Sequence, residues 1–133
     1  MASSRFASGS PRQTESYYEL GEIALQMHED KEAAAQFQKV LSSNPRHGGA
    51  LTGMGVLAYR AKNYTEAEKY LSKAVQYAPD YVEAHQSYAL TLARLGRKTD
   101  AARESSLATS LREQQEKLRH GYHLITQPED SSR

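Results

Sequence analysis

The chain has 133 residues, 38% hydrophobic and 25% charged, which is enough for one domain of ordinary globular composition. Seventeen basic residues against sixteen acidic ones leave a formal charge of +1, which excludes a global field able to hold nucleic acid or an anionic membrane. With no cysteine there is no disulfide framework, thiolate zinc site or cysteine nucleophile, and no window approaches the run of about 20 apolar residues a membrane span requires.

The first thirteen residues, MASSRFASGSPRQ, carry two arginines, four serines and no acid. Organelle transit peptides share that bias, but the segment is short and weakly apolar, so it is read as a flexible tail over 1–13. Apolar residues at Tyr17, Leu20, Ile23, Ala24 and Met27 then predict a helix over 14–27 with one buried face. A second helical face, Ala33, Ala34, Phe37, Val40 and Leu41, stops at Asn44 and Pro45, because a proline ring excludes the helical conformation from the residue before it. These two helices form a hairpin over 14–47.

The same pattern returns over 48–81 as Leu51, Met54, Leu57, Ala58 and Ala61, then Ala67, Leu71, Ala74 and Val75, closed by Ala78 and Pro79. A third hairpin over 82–113 carries Ala84, Tyr88, Leu92 and Leu95, then Ala101, Ala102 and Ala108. Asn63 three residues before Glu66, and Asp80 three before Glu83, match capping boxes and predict helix starts near 64 and 82. Gly96 suits a left-handed turn inside the third hairpin.

Registering the copies exposes a fixed period. Gly21, Gly55 and Ala89 are each thirty-four residues apart, as are Ala33, Ala67 and Ala101, and Pro45 recurs as Pro79. A period of that length means stacked units, each burying its apolar face only against its neighbours. The small residues are expected to face one another within each hairpin and let its helices approach closely.

In these slots the chain resembles the tetratricopeptide repeat family, whose signature is W-x2-L-G-x2-Y, A-x3-F and P over thirty-four residues. Its first copy reads Tyr17, Leu20, Gly21, Ala24, Ala33, Phe37, Val40 and Pro45; the second Leu51, Met54, Gly55, Ala58, Ala67, Leu71, Ala74 and Pro79. The third reads His85, Tyr88, Ala89, Leu92, Ala101, Ser105 and Ala108, with Glu113 in the proline slot. The resemblance implies an all-α, right-handed superhelical stack of three hairpins. Ser105 lacks the bulk that would seat a further repeat, and Glu113 lifts the stop, so an extended, polar C-terminal capping helix is expected to run to about His120 and Gly121. That leaves 121–133 as a flexible tail. Leu107, Leu111 and Leu118 either lie on the last hairpin or mediate self-association.

In that family the first helix of each hairpin lines a concave groove that holds extended peptides or helices. The resemblance places Tyr18, Glu22, Leu25 and Gln26, then Thr52, Val56, Tyr59 and Arg60, then Gln86, Leu90, Ala93 and Arg94 along it. Arg60 and Arg94 occupy equivalent places and are positioned to grip carboxylates or backbone carbonyls of a ligand bearing apolar and acidic groups. Members that clamp a chaperone's terminal carboxylates do so with five basic and amide side chains; the matching residues here are Tyr18, Glu22, Gly53, Glu83 and Ser87, none retained and two acidic. No affinity for such a tail is expected.

Nothing in the chain points to catalysis or to a cofactor. His120 and His123 share a spacing that suits a metal, but Gly121 lies between them and no third ligand is evident; His28, His47 and His85 are scattered, and His85 sits in a packing slot. Gly48, Gly49, Gly53 and Gly55 lack the strand and lysine of a phosphate loop and are read as easing close packing. The nine tyrosines are assigned to core and seams rather than to base stacking, with Tyr64, Tyr77 and Tyr81 packing repeat against repeat. The expectation is a noncatalytic, cytoplasmic protein-interaction scaffold that binds neither nucleic acid nor membrane. Alternatives are a recruiting or assembly module of a larger enzyme, and a scaffold whose ligand is another copy of itself.

Overall fold

A computed structural model describes residues 11–126. Six α-helices and no strand succeed one another there: α1 Pro11–Gln26, α2 Asp30–Ser43, α3 Gly48–Arg60, α4 Tyr64–Tyr77, α5 Val82–Arg94 and α6 Lys98–Thr126. Successive helices pair as three hairpins, which meet through α2 against α3 and α4 against α5. The first helices also touch each other, α1 with α3 and α3 with α5, whereas among the described residues no second helix reaches another second helix. A stack packed more closely on one side must curve, so α1, α3 and α5 line its inner face.

Each hairpin turns by the same device. His28, Lys62 and Gly96 have φ of 60°, 64° and 83°. In every case the amide of the following residue reaches back to the carbonyl five residues earlier at 2.9 Å, Glu29 to Ala24, Asn63 to Ala58 and Arg97 to Leu92. This is the Schellman arrangement, which satisfies carbonyls the helix end would otherwise orphan. Gly96 makes the left-handed turn expected of it, and the period repeats that turn with the side-chain-bearing His28 and Lys62.

The core follows the repeat. Phe37, Val40, Leu71 and Leu92 are fully buried. The nearest atoms to Gly21 and Gly55 belong to Phe37 and Leu71, one helical turn beyond the alanines expected to face them: a Cβ would lie 2.7 Å from the Phe37 ring and 2.5 Å from Leu71 Cγ. A Cβ on Gly53 would lie 2.4 Å from the other edge of the Phe37 ring, so the ring is pinched between the first helices of two hairpins.

The helix ends depart from expectation. Helices do begin at Tyr64 and Val82, but Asn63 makes no side-chain cap bond and Tyr81, not Asp80, is the N-cap of α5. Among the described N-caps of α2 to α5, α3 alone has a side-chain cap, in which Nδ1 of His47 accepts from the Ala50 amide at 3.0 Å. The Schellman turns explain the difference at α4, because they already fix the chain's entry. At the N-terminus α1 covers Pro11–Gln26, so the chain is already helical before the expected start at 14 and the helix ends one residue before the expected 27.

α6 continues past the expected end at 120 to Thr126, with Gly121 inside it, so the first part of the segment expected to be a flexible tail is helical. One glycine costs a helix about 1 kcal/mol, too little to stop it where no proline follows at once. Residues 1–10 and 127–133, which include most of the two expected tails, lie outside the described residues. Among the described helices α6 packs against α5 alone, with Gln115 Nε2 donating to the Asp80 carbonyl at 3.3 Å, so the helix expected to cap the stack does not fold back over its end.

Candidate functional site

The inner face is built from α1, α3 and α5, and its side chains fall into two clusters. At one end the half-buried Tyr18 ring stands 4.8 Å from that of His47 and 6.1 Å from that of Phe37. It fits there because Gly49 offers no side chain; a Cβ would lie 2.6 Å from the Tyr18 hydroxyl. That hydroxyl engages Glu22 and Tyr81, and burial foremost, then those two hydrogen bonds, raises the Tyr18 ionisation well above the ordinary 10.0. Burial also raises Tyr81, although the bond from Tyr18 works against the shift. Both phenols are therefore neutral donors and acceptors spanning first and third hairpins.

At the other end lies an aromatic and cationic cluster. Rings of Tyr59 and Tyr64 meet edge-on at 5.3 Å. Arg94 donates from Nε to the Tyr59 hydroxyl at 3.2 Å, and its guanidinium lies 6.0 Å and 5.9 Å from the centroids of Tyr59 and Tyr64. One repeat earlier, Arg60 pairs through Nη1 with Oδ1 of Asp30 at 2.8 Å. Arg60 and Arg94 thus do the same thing, each reaching from the end of a first helix to the start of the preceding second helix. Each guanidinium has five donors in a fixed fork, more than these contacts use.

The remaining residues expected along the groove separate by exposure. Gln26, Leu90 and Ala93 are exposed, and Glu22, Leu25, Val56, Gln86, Tyr59 and Arg60 are half-buried. Thr52 is the exception: it is 5% exposed, and its hydroxyl donates to the Gly48 carbonyl at 2.8 Å. It is closed to a ligand and serves its own helix. Of the five chaperone-clamp positions, Gly53 is buried against Phe37, and only Glu83 is exposed.

One polar pair was not foreseen. His85, 5% exposed, has Nδ1 2.6 Å from Oε1 of Glu104 and Nε2 2.7 Å from the Pro79 carbonyl. Both ring nitrogens face acceptors, which locks α5, α6 and the preceding turn together. The period held a signal for it, since Glu104 shares the register of Tyr70 and His85 that of Leu51, and those two belong to one apolar cluster. Among the described residues no three acidic or histidine side chains come together to hold a metal, and His120 is exposed. The side chain of His123 lies outside the described residues. Tyr77 carries the Arg46 guanidinium 5.3 Å from its centroid, so with Tyr64 and Tyr81 it joins successive repeats. No described helix is long and apolar enough to cross a membrane.

A family model, the cilia and flagella-associated protein 70 middle TPR-like domain, matches residues 3–119. No curated protein sequence matches the chain significantly. Solved structures with the same fold include the first TPR of Spaghetti (RPAP3) bound to the HSP90 peptide SRMEEVD, with a TM-score of 0.72 and 17% identity over 90% of this chain and 98% of that one. MamA superposes with a TM-score of 0.68 and 22% identity over 79% of this chain, which spans 61% of MamA's length. The TPR2B domain of yeast Sti1, in its complex with pHsp70, gives 0.69 at 14% identity, covering 75% and 80% of the two chains. At these identities the likeness is one of fold.

Proposed function

Since the chain belongs to the family of the cilia and flagella-associated protein 70 middle TPR-like domain, we propose that it is a noncatalytic scaffold holding an extended segment of a partner protein along its inner face. The observation that carries this reading is the contact of α1 with α3 and of α3 with α5, which makes one continuous inner surface from three first helices. Tyr18, Glu22, Gln26, Val56, Tyr59, Arg60, Gln86, Leu90 and Arg94 are its contact residues, with Thr52 supporting them from beneath. Apolar and aromatic groups would supply the burial, and the spare donors of Arg60 and Arg94 would orient carboxylates or carbonyls of the ligand.

RPAP3 and Sti1 domains of this fold bind HSP90 and Hsp70 peptides. We assign this chain a different ligand, because the five clamp positions hold Tyr18, Glu22, Gly53, Glu83 and Ser87, and the two acids would repel a terminal carboxylate. Replacing Arg60 and Arg94 together by alanine should leave helicity and melting almost unchanged, since both guanidinium contacts are largely exposed, while partner capture falls. Undiminished capture by the double variant, or micromolar binding of a chaperone tail by the native chain, would show the assignment to be wrong.

A further inference from the structure

Among the described residues the stack is open at both ends, and the two ends are complementary to each other. At the first end α1 exposes Leu20 and Ile23, 50% and 54% accessible, beside Glu29, Asp30, Lys31 and Glu32. Their equivalents one repeat on, Met54 and Leu57, are each 8% accessible and share one core cluster with Ala24, Ala33 and Phe37. At the last end α5 and α6 leave a groove lined by Ala89, Leu90, Ala93, Ala101, Ala102 and Ser105. Those residues stand at the register of Gly21, Glu22, Leu25, Ala33, Ala34 and Phe37, the surface on which α3 sits. The chain therefore carries an unfilled seat and, at its opposite end, the knobs that such a seat receives.

We propose that a second copy of this chain docks head to tail, its Leu20 and Ile23 entering the groove between α5 and α6 as Met54 and Leu57 enter the groove of the first hairpin. Size and charge both favour this occupant. Inside the fold Gly53 faces Phe37, small against large. The end-to-end register places Glu19 of the second copy opposite Ser105, and the bulk has moved to the other partner. Within the chain Arg97 reaches Glu68 across a repeat seam. In the same register Glu29 of the second copy arrives above Ala102, one helical turn from Lys98, so an acid meets a base. The contact is heterologous and leaves each pair with a free end, so assembly continues into chains. The seat shares Leu90 and Ala93 with the inner face, and the variants below leave both in place, so their outcome is read apart from the inner-face ligand.

Sedimentation equilibrium over micromolar to millimolar concentrations tests it with two variants that spare every groove residue. Leu20→Glu/Ile23→Glu spoils the knobs, and Ala102→Glu/Ser105→Glu spoils the seat; all four positions are exposed, and circular dichroism checks that both fold. The native chain should gain mass steadily with concentration, each variant alone should stay monomeric, and an equimolar mixture should stop at a one-to-one dimer, since only one intact contact remains. If the knob variant lost its helicity, Ile23→Glu alone would take its place. A native chain that remains monomeric throughout, a variant that dimerises with itself, or a mixture that does not associate overturns the proposal.

Discussion

Phe37 shows how much one position decides. Its ring is fully buried between Gly21 of α1 and Gly53 of α3 and cannot retreat from one without striking the other. Gly53→Ala should therefore destabilise the fold by about 1–3 kcal/mol, as overpacking of a filled core does, read as a lower denaturant midpoint. Gly121 is the control, because a Cβ there meets nothing within 4 Å inside α6. Gly121→Ala should instead stabilise the helix by about 0.5–1 kcal/mol, visible as a gain in helical signal. The sequence points to close packing at Gly53 without naming what packs there, and marks Gly121 simply as a glycine. Which one is crowded depends on a ring sixteen residues away from Gly21 in one direction and from Gly53 in the other, and no local pattern carries that.

At the scale of elements the hairpin turn is the repeated unit. His28 and Lys62 hold the left-handed conformation that Gly96 adopts at no steric cost. Lys62→Gly should raise stability by up to about 1 kcal/mol, the relief of the side-chain penalty being partly offset by greater freedom of the unfolded chain; a thermal melt checks the sign. Proline and the Schellman turns place helix boundaries more firmly than capping boxes do. Asn63 and Asp80 carry the sequence signature of a cap, yet neither caps its helix with its side chain. The end of α6 was hard to read for the opposite reason, since a weak polar helix without a stop signal continues for as long as nothing breaks it.

Across the whole molecule, three tyrosines tie stability to alkaline pH. Burial raises the ionisation of Tyr18, Tyr81 and Tyr88 above their ordinary 10.0. A group whose pKa is raised by folding stabilises fully below its unfolded value and loses that contribution as pH climbs through the folded one. Melting temperature should thus be insensitive to these phenols from pH 7 to about 9 and fall above about pH 10, with Tyr18→Phe removing part of the fall.

The thirty-four-residue interval by itself determined the all-helical stack, its three hairpins and their registry, because each slot of a repeat meets an equivalent neighbour. Which helices face inward, and which residues they would present there, came only with the family resemblance that the repeat slots carry. Only the tertiary structure decided that Thr52 is closed, that Arg60 and Arg94 already bind Asp30 and Tyr59, that His85 finds Glu104, and that both ends of the stack lie open. Periodicity fixes which helices meet, whereas burial and pairing depend on the size and charge of side chains brought together from different repeats, and those are the places where the copies differ.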